Sequence, residues 1–257
     1  MTITYKNTQI FYSDIGKGNV VVLLHGFLEN HTMWKDLTPD LAQTHRVIAI
    51  DLLGHGQSES LGYIHTMEMM ADSVAQVLNT LHIDVVTFVG HSMGGYVALA
   101  YAEKYPFNVN GICLLNSTPA SDSAERKLNR DRAIKAVKHN SKTFVSMAIG
   151  NLFAVNNRER LQAEIQTVKE TALKTPLQGV VATLEGMKIR EDRTAFFKQA
   201  TFNKMLIIGT KDPVLNRDAV LKCVENSDVE VVEFPDGHMS HIENKYELTH
   251  SILRFIE

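Results

Sequence analysis

Residues 85–95 read VVTFVGHSMGG, an apolar run that leads into a serine standing between glycines. The continuous run predicts a strand buried on both faces over Val85 to Val89. A helix-forming stretch follows, so Ser92 lies on a sharp turn between strand and helix. A side chain on such a turn is exposed, and the residues two before and two after it must be tiny. Gly90 and Gly94 meet this requirement, which makes Ser92 the candidate nucleophile.

Strand and helix patterns alternate on both sides of this turn. Further strands are predicted over Val20 to Leu24, Arg46 to Ile50, Gly111 to Leu115, Met205 to Ile208 and Val229 to Phe234. Helices are predicted near 31–43, 67–81, 92–105, 216–225 and 242–256. Crossovers of this length suit parallel pairing, so we predict a doubly wound, mostly parallel α/β sheet. Short β-type runs over Thr2 to Lys6 and Gln9 to Ser13 predict an antiparallel hairpin at its start.

The alternation stops after Leu115. The next stretch has helical periodicity throughout, in segments 122–138, 142–153, 158–174 and 177–189. An ordinary crossover needs about a dozen residues, so a stretch several times longer indicates an inserted subdomain. We therefore predict a core formed by residues 1–117 and 199–257, with a helical cap inserted as residues 118–198.

The composition is that of an ordinary globular protein. Of 257 residues, 44% are hydrophobic and 21% charged, with only 6 Pro and 15 Gly, which excludes disordered and collagenous classes. A net charge of -3 gives no electrostatic footprint for nucleic acid or an anionic membrane. No apolar run approaches the roughly 18 residues of a membrane span. We therefore expect neither nucleic acid nor a membrane as a partner. The sequence does not predict the oligomeric state.

The two cysteines, Cys113 and Cys223, are far apart and form no C-x-x-C motif. This spacing predicts neither a disulfide framework nor a zinc site, so we expect no metal. The N-terminal residues lack the basic start and apolar core of a signal peptide. Together these features favour a reducing, cytoplasmic location.

A serine hydroxyl becomes a good nucleophile only when a base takes its proton, and an acid must orient that base. Asp212 follows a predicted strand, at the edge where open α/β sheets bind ligands. An alternative is a solvated aspartate that starts a turn before Pro213. His238 follows the last predicted strand in the same way. Its local rival, His241, lies nearly one helical turn further along, so the loop position favours His238 as the base.

A tetrahedral intermediate also needs donors for its oxyanion. The N–H of Met93 directly follows the candidate nucleophile at a helix N-terminus and is expected to be one donor. A second is expected after the first central strand, where His25-Gly26-Phe27 lies. We assign it to the N–H of Phe27, although His-Gly alone would also fit an ordinary turn.

Five motifs in this order resemble those of the α/β-hydrolase superfamily. They are His25-Gly-Phe27, Asp51-Leu-Leu-Gly-His-Gly-Gln-Ser58, Gly90-His-Ser-Met-Gly-Gly95, Gly209-Thr-Lys-Asp212 and Gly237-His238. The resemblance implies the α/β-hydrolase fold, a catalytic triad of Ser92, Asp212 and His238, no cofactor, and a cap inserted after the strand that ends near Asn116. Haloalkane dehalogenases and epoxide hydrolases share this layout but use an aspartate nucleophile, so the serine argues against them.

Other polar residues admit simpler interpretations. Asp51 and Ser58 are expected to satisfy backbone groups of a strand-end loop. His91 is expected to pack or hydrogen-bond at the turn and not to act as a second base.

The basic run over Glu125 to Lys138 is by default a solvated helix face, with a site for a carboxylate-bearing or carrier-linked substrate as the alternative. Five apolar cap residues are expected in the cap core, some of them also in the pocket: Phe144, Met147, Leu152, Phe153 and Met187.

These features together predict a serine hydrolase that cleaves a small-molecule, ester-like acyl substrate through an acyl-enzyme on Ser92. A C–C bond hydrolase for vinylogous diketones, an enol-lactonase and a cofactor-free perhydrolase are alternatives that share the triad. A ligand receptor with the hydrolase fold and slow turnover is the alternative from another class, because fold alone does not imply activity.

Overall fold

The computed structural model describes residues Met1–Glu257 and contains one sheet of eight strands. They are β1 (Thr2–Tyr5), β2 (Thr8–Gly16), β3 (Val20–Leu24), β4 (Arg46–Ile50), β5 (Val86–His91), β6 (Val109–Leu115), β7 (Asn203–Gly209) and β8 (Glu230–Phe234). Their spatial order is β1-β2-β4-β3-β5-β6-β7-β8. Strand β2 pairs antiparallel with β1 and β4, and all other neighbours pair in parallel. The predicted mostly parallel sheet with an antiparallel hairpin at its start is therefore confirmed.

Eleven α-helices and three 3₁₀ turns complete the structure. The α-helices are α1 (Thr38–Leu41), α2 (Met67–Thr80), α3 (Met93–Lys104), α4 (Ala124–His139), α5 (Ser141–Gly150), α6 (Gln162–Ala172), α7 (Leu177–Lys188), α8 (Thr194–Gln199), α9 (Arg217–Val224), α10 (Ser240–Glu243) and α11 (Lys245–Ile256). The 3₁₀ turns are His31–Trp34, Pro106–Asn108 and Val155–Asn157. None of these helices is long and apolar enough to cross a membrane.

The position of strand β3 in the sheet explains why its sequence is continuously apolar and does not alternate with polar residues. It is hydrogen-bonded between β4 and β5, and its side chains point alternately to the two faces of the sheet. Val22 and Leu24 enter the larger hydrophobic cluster, while Val21 and Leu23 enter the cluster on the opposite face. Because helices cover both faces, the four residues Val21 to Leu24 are fully buried, and only Val20 at the start of the strand is partly exposed.

The prediction of one continuous helix near residues 31–43 is wrong. The chain forms the 3₁₀ turn His31–Trp34 and then the separate short helix α1. Pro39 explains the break, because proline has no N–H to donate to the carbonyl four residues earlier. Proline is tolerated in the first turn of a helix, and it occupies that place in α1. The final predicted helix is likewise divided into α10 and α11.

Helices α4 to α8 all lie between β6 and β7 in the chain. Four of them correspond to the predicted helical segments, although α6 begins at Gln162, later than predicted. The short helix α8 was not predicted, and it extends across the predicted cap boundary at residue 198. Helix α4 packs against α5 and α7, and α5 packs against α6. This segment therefore has internal packing of its own, and its assignment as a separate domain stays a prediction.

Candidate active site

The turn between β5 and α3 holds Ser92 in a strained conformation, with φ +48° and ψ −111°. Positive φ is uncommon for any residue with a side chain. A Cβ atom at Gly90 would lie 2.5 Å from the backbone nitrogen of Gly95. A Cβ atom at Gly94 would lie 2.1 Å from the carbonyl oxygen of Leu24. The turn therefore requires glycine at both positions, as the sequence pattern predicted.

Asp212 and His238 meet at the carboxyl edge of the sheet, in the loops after β7 and β8. Nδ1 of His238 donates to Oδ2 of Asp212 at 2.7 Å. The other carboxylate oxygen, Oδ1, accepts the N–H groups of Val214 (2.8 Å) and Leu215 (2.9 Å). Burial raises the pKa of Asp212, but the imidazole and these two N–H groups outweigh burial, so the pKa lies below its ordinary value. An ionised Asp212 keeps the proton on Nδ1 and leaves Nε2 free to accept one.

Asn116 is a site residue that the sequence analysis did not identify. It follows β6 at φ +44°, and its side-chain Nδ2 donates to Asp212 Oδ2 and to the carbonyl of Gly237, both at 3.1 Å. These bonds tie the strand-end loop of the candidate acid to the loop of the candidate base. The available signal was its place at the carboxyl end of a strand, where ligand chemistry collects in open sheets.

Ser92 and His238 line one cavity of about 100 Å³. No hydrogen bond joins the Ser92 hydroxyl to His238 in the structure, and such bonds are often long before substrate binds. Phe27, in the loop after β3, lines the same cavity. Met93 is the first residue of α3, where N–H groups have no partner within the helix. The structure thus brings the predicted nucleophile, acid, base and oxyanion donors to one edge of the sheet.

A buried pair, Glu29 and His91, supports this arrangement. Nδ1 of His91 is 2.7 Å from Glu29 Oε2, which also accepts the N–H of Gly26 at 3.0 Å. Nε2 of His91 donates to the carbonyl of His238 at 2.9 Å. Because a carbonyl only accepts, a doubly protonated His91 beside an ionised Glu29 satisfies both contacts. His91 therefore forms hydrogen bonds at the turn, as predicted, whereas Glu29 was missed.

The pKa values of the pair move in opposite directions. Burial raises the pKa of Glu29, but His91 outweighs burial and lowers it to about 2. Burial lowers the pKa of His91, but Glu29 outweighs burial and raises it above the ordinary value. Each group thus favours the charged form of the other. The charged pair connects the loop after β3, the turn and the loop of His238.

This pair predicts a pH window of stabilisation. Glu29, with its lowered pKa, contributes stability above pH 4.5 that is lost as the pH falls towards about 2. His91, with its raised pKa, contributes stability below pH 6.5 that is lost as the pH rises through its folded pKa. We expect Glu29→Gln to destabilise the protein by a few kcal/mol, on the order found for broken buried pairs. The difference from wild type should be largest between pH 4.5 and 6.5.

Urea unfolding of wild type and Glu29→Gln from pH 3 to pH 9 measures this difference. Other carboxylates titrate in both proteins. Only the difference between the two free energies of unfolding at each pH therefore reports on the pair. If this difference in the free energy of unfolding stays constant from pH 3 to pH 9, the charge of the pair contributes nothing to stability.

His241, the rival base, lies elsewhere in the site. It is buried in α10, and its Nε2 is 3.5 Å from Glu29 Oε1. Burial lowers the pKa of His241 to about 4, which keeps the imidazole neutral near pH 7. The hydrogen bond to Asp212 is made by His238. The geometry therefore favours His238 as the partner of the candidate acid.

The motif at residues 51–58 has the structural role that was predicted. Asp51 Oδ1 accepts the N–H of His31 at 2.7 Å, and Oδ2 accepts the N–H of Gln57 at 2.8 Å. The hydroxyl of Ser58 donates to the Asp51 carbonyl at 2.6 Å. These bonds satisfy backbone groups around the end of β4.

Comparison with known proteins gives the same architecture. Residues 19–245 match the family model described as the alpha/beta hydrolase fold. A thermophilic esterase from Thermogutta terrifontis, solved with malate bound, superposes with a TM-score of 0.89 at 30% sequence identity, and the match covers 99% of this chain and 96% of that chain.

Two curated sequences match over shorter segments. The 2-hydroxy-6-oxo-2,4-heptadienoate hydrolase of Pseudomonas putida is 36% identical over 112 residues, which are 42% of this chain and 41% of that protein. An uncharacterized protein of Mycobacterium tuberculosis is 39% identical over 102 residues, which are 40% of this chain and only 30% of that protein. The family model, by contrast, spans most of this chain and includes β3 to β8. The resemblance found in the sequence motifs is therefore confirmed, and the chain belongs to the α/β-hydrolase fold family.

Proposed function

We propose that this protein is a serine hydrolase that cleaves a small-molecule, ester-like substrate through an acyl-enzyme on Ser92. One observation carries the proposal: strained Ser92 lines the same cavity as His238, whose Nδ1 is held 2.7 Å from Asp212. Ser92 is partly exposed, and strained backbone conformations cluster at active sites. A serine, a neutral imidazole and an orienting carboxylate are the parts that nucleophilic catalysis requires.

The proposed reaction has two halves. Ser92 Oγ attacks the acyl carbon while His238 Nε2 takes the hydroxyl proton, and the carbonyl electron pair moves onto oxygen. The N–H groups of Phe27 and Met93 stabilise that oxyanion. The intermediate collapses and expels the alcohol, which receives the proton from His238. Water then attacks the acyl-enzyme in the same manner, releasing the acid and restoring the Ser92 hydroxyl.

We further propose that residues 118–198 act as a cap over the site. Several of them line the cavity that contains Ser92 and His238: Arg126, Arg130, Ala148, Ile149, Leu152 and Met187. Of the apolar residues expected in the cap core, Phe153 is fully buried, whereas Met147 is 62% exposed and does not line the cavity of Ser92. Leu152 and Met187 have the dual role that was expected of some of them.

The size of the cavity predicts a preference for short acyl groups. At about 100 Å³ this cavity is far smaller than the roughly 300–1,000 Å³ of clefts that hold drug-sized ligands. A longer acyl chain would leave this cavity past the guanidinium groups of Arg126 and Arg130, which also line the adjoining cavity, and its CH₂ groups would unfavourably take those charges out of water. We expect kcat/KM for p-nitrophenyl acetate or butyrate to exceed that for the octanoate by at least about 10-fold.

Initial rates across the p-nitrophenyl acetate to decanoate series measure this preference. Leu152→Ala enlarges the cavity and should shift the optimum towards longer chains. A wild-type optimum at octanoate or decanoate would contradict the prediction.

Covalent labelling by a fluorophosphonate, with Ser92→Ala as the control, tests the proposed nucleophile itself. Multiple turnovers of an ester separate a hydrolase from a receptor that retains the fold.

A further inference from the structure

Three arginines share one buried carboxylate beside the candidate active site. Asp122, whose side chain is fully buried, accepts from Arg190 Nη1 (2.6 Å), Arg130 Nε (2.5 Å) and Arg126 Nε (3.2 Å). Burial raises the pKa of Asp122, but Arg130 and Arg190 outweigh burial and hold it below its ordinary value. The carboxylate is therefore ionised, and the cluster has two positive charges in excess.

Arg190 has a structural role in this cluster, because its side chain is buried and contacts groups of the protein. It donates to the carbonyls of Ala120 and Met187, and its guanidinium stacks 4.0 Å above the ring of Tyr96. Its side chain is only 3% exposed, so it forms a buried pair with Asp122. A buried carboxylate needs one such partner, and Arg190 supplies it. One carboxylate neutralises only one of the three guanidinium groups, so Arg126 and Arg130 share Asp122 with Arg190 and leave an excess of positive charge.

Arg126 and Arg130 have hydrogen-bonding capacity to spare. Arg126 donates to Asp122 and to the carbonyl of Val214, and Arg130 donates twice to Asp122. A guanidinium has five N–H donors, so each of these arginines keeps three for another partner.

Both arginines line the cavity that contains Ser92 and His238. With Phe27, they also line an adjoining outer cavity of about 290 Å³. The acidic side chain at the inner cavity is Glu29, and its charge is matched by His91. A substrate that occupies both cavities would therefore pass along a wall with an excess of positive charge.

We propose that Arg126 and Arg130 bind a carboxylate of the substrate, so that the preferred esters carry one on their acyl or alcohol part. The inference rests on the proposed hydrolase function and names its substrate class. Two forked guanidinium groups match the planar geometry of a carboxylate.

Two pairs of esters that differ only in charge test the proposal. Monomethyl succinate is compared with methyl succinamate, and acetoxyacetate with acetoxyacetamide, by titrating the acid released at constant pH. The first pair places the charge on the acyl part and the second on the alcohol part. We expect kcat/KM to favour the carboxylate member of at least one pair by about 10- to 100-fold, the range expected for hydrogen bonds to a charged group.

Arginine variants assign this preference to the proposed residues. Arg126→Gln with Arg130→Gln should reduce the ratio of the two kcat/KM values to within about 3-fold of unity, while Arg126→Lys should keep part of it. Arg132→Gln, an exposed change of equal charge on the same helix, should keep the wild-type ratio. The ratio is taken on one preparation, so it does not depend on the fraction of active enzyme.

Three results would overturn the proposal: equal rates within both pairs, an unchanged ratio in the double variant, or stronger inhibition by inorganic phosphate than by succinate. Failure of the proposed function looks different, since all four esters would then remain intact and Ser92 would stay unlabelled by a fluorophosphonate.

Discussion

Replacing Ser92 with alanine is expected to lower kcat on p-nitrophenyl butyrate by about 10⁶-fold, the scale found when a serine hydrolase loses its nucleophile. No other group at the turn is placed to form the acyl-enzyme. The variant should fold, because alanine removes one hydroxyl and keeps the Cβ atom that the strained turn already accommodates. Cavity and oxyanion donors remain, so the residual rate measures their contribution alone.

Labelling identifies the nucleophile independently of turnover. A fluorophosphonate should add to wild type, with the mass shift in the peptide that contains residues 90–95, and should not add to Ser92→Ala. Ser240→Ala provides a matched control, because the Ser240 hydroxyl is buried without a hydrogen-bond partner and lies outside the cavity. That control should keep both the label and the activity.

Two outcomes would change the assignment. A labelled protein that releases at most one product molecule per chain is a receptor with a vestigial site. A folded wild-type protein with neither label nor turnover, on short and medium acyl chains, would exclude the serine hydrolase.

Local sequence patterns were sufficient to predict the elements that are determined by residues close together in the chain. The turn at Ser92 was predictable because close backbone contacts at Gly90 and Gly94 exclude any side chain. The central strands were predictable because burial on both faces removes polar residues from a continuous run. The predicted helix near residues 31–43 is interrupted for a local reason as well, because Pro39 has no N–H for a continuous helix.

Contacts between distant residues were not predictable in this way. Glu29 bonds to His91, 62 residues away, and Asn116 bonds to Asp212, 96 residues away. A single sequence shows no period or motif for such pairs. The basic run was ambiguous for a related reason. Arg126 and Arg130 are one helical turn apart and share a face, but only the packed structure shows that this face is turned towards Ser92.

Asp212→Asn is expected to lower kcat by about 10⁴-fold, the effect seen for the same exchange in a serine protease. The two backbone N–H groups that contact Oδ1 require an acceptor there, so they orient the amide with its oxygen at that position. The amide NH₂ then replaces Oδ2 and faces His238 Nδ1. An NH₂ group can only donate, so Nδ1 must give up its proton and accept.

The proton then resides on Nε2 of His238, where it prevents the imidazole from taking the hydroxyl proton of Ser92. The loss should therefore appear in kcat, with KM for p-nitrophenyl butyrate nearly unchanged, because substrate contacts are kept. Asp236→Asn, in the same loop as His238 and bonded to Asn244, is the matched control and should retain wild-type kcat. Near-normal turnover by Asp212→Asn, with His238→Ala inactive, would show that another group orients the base.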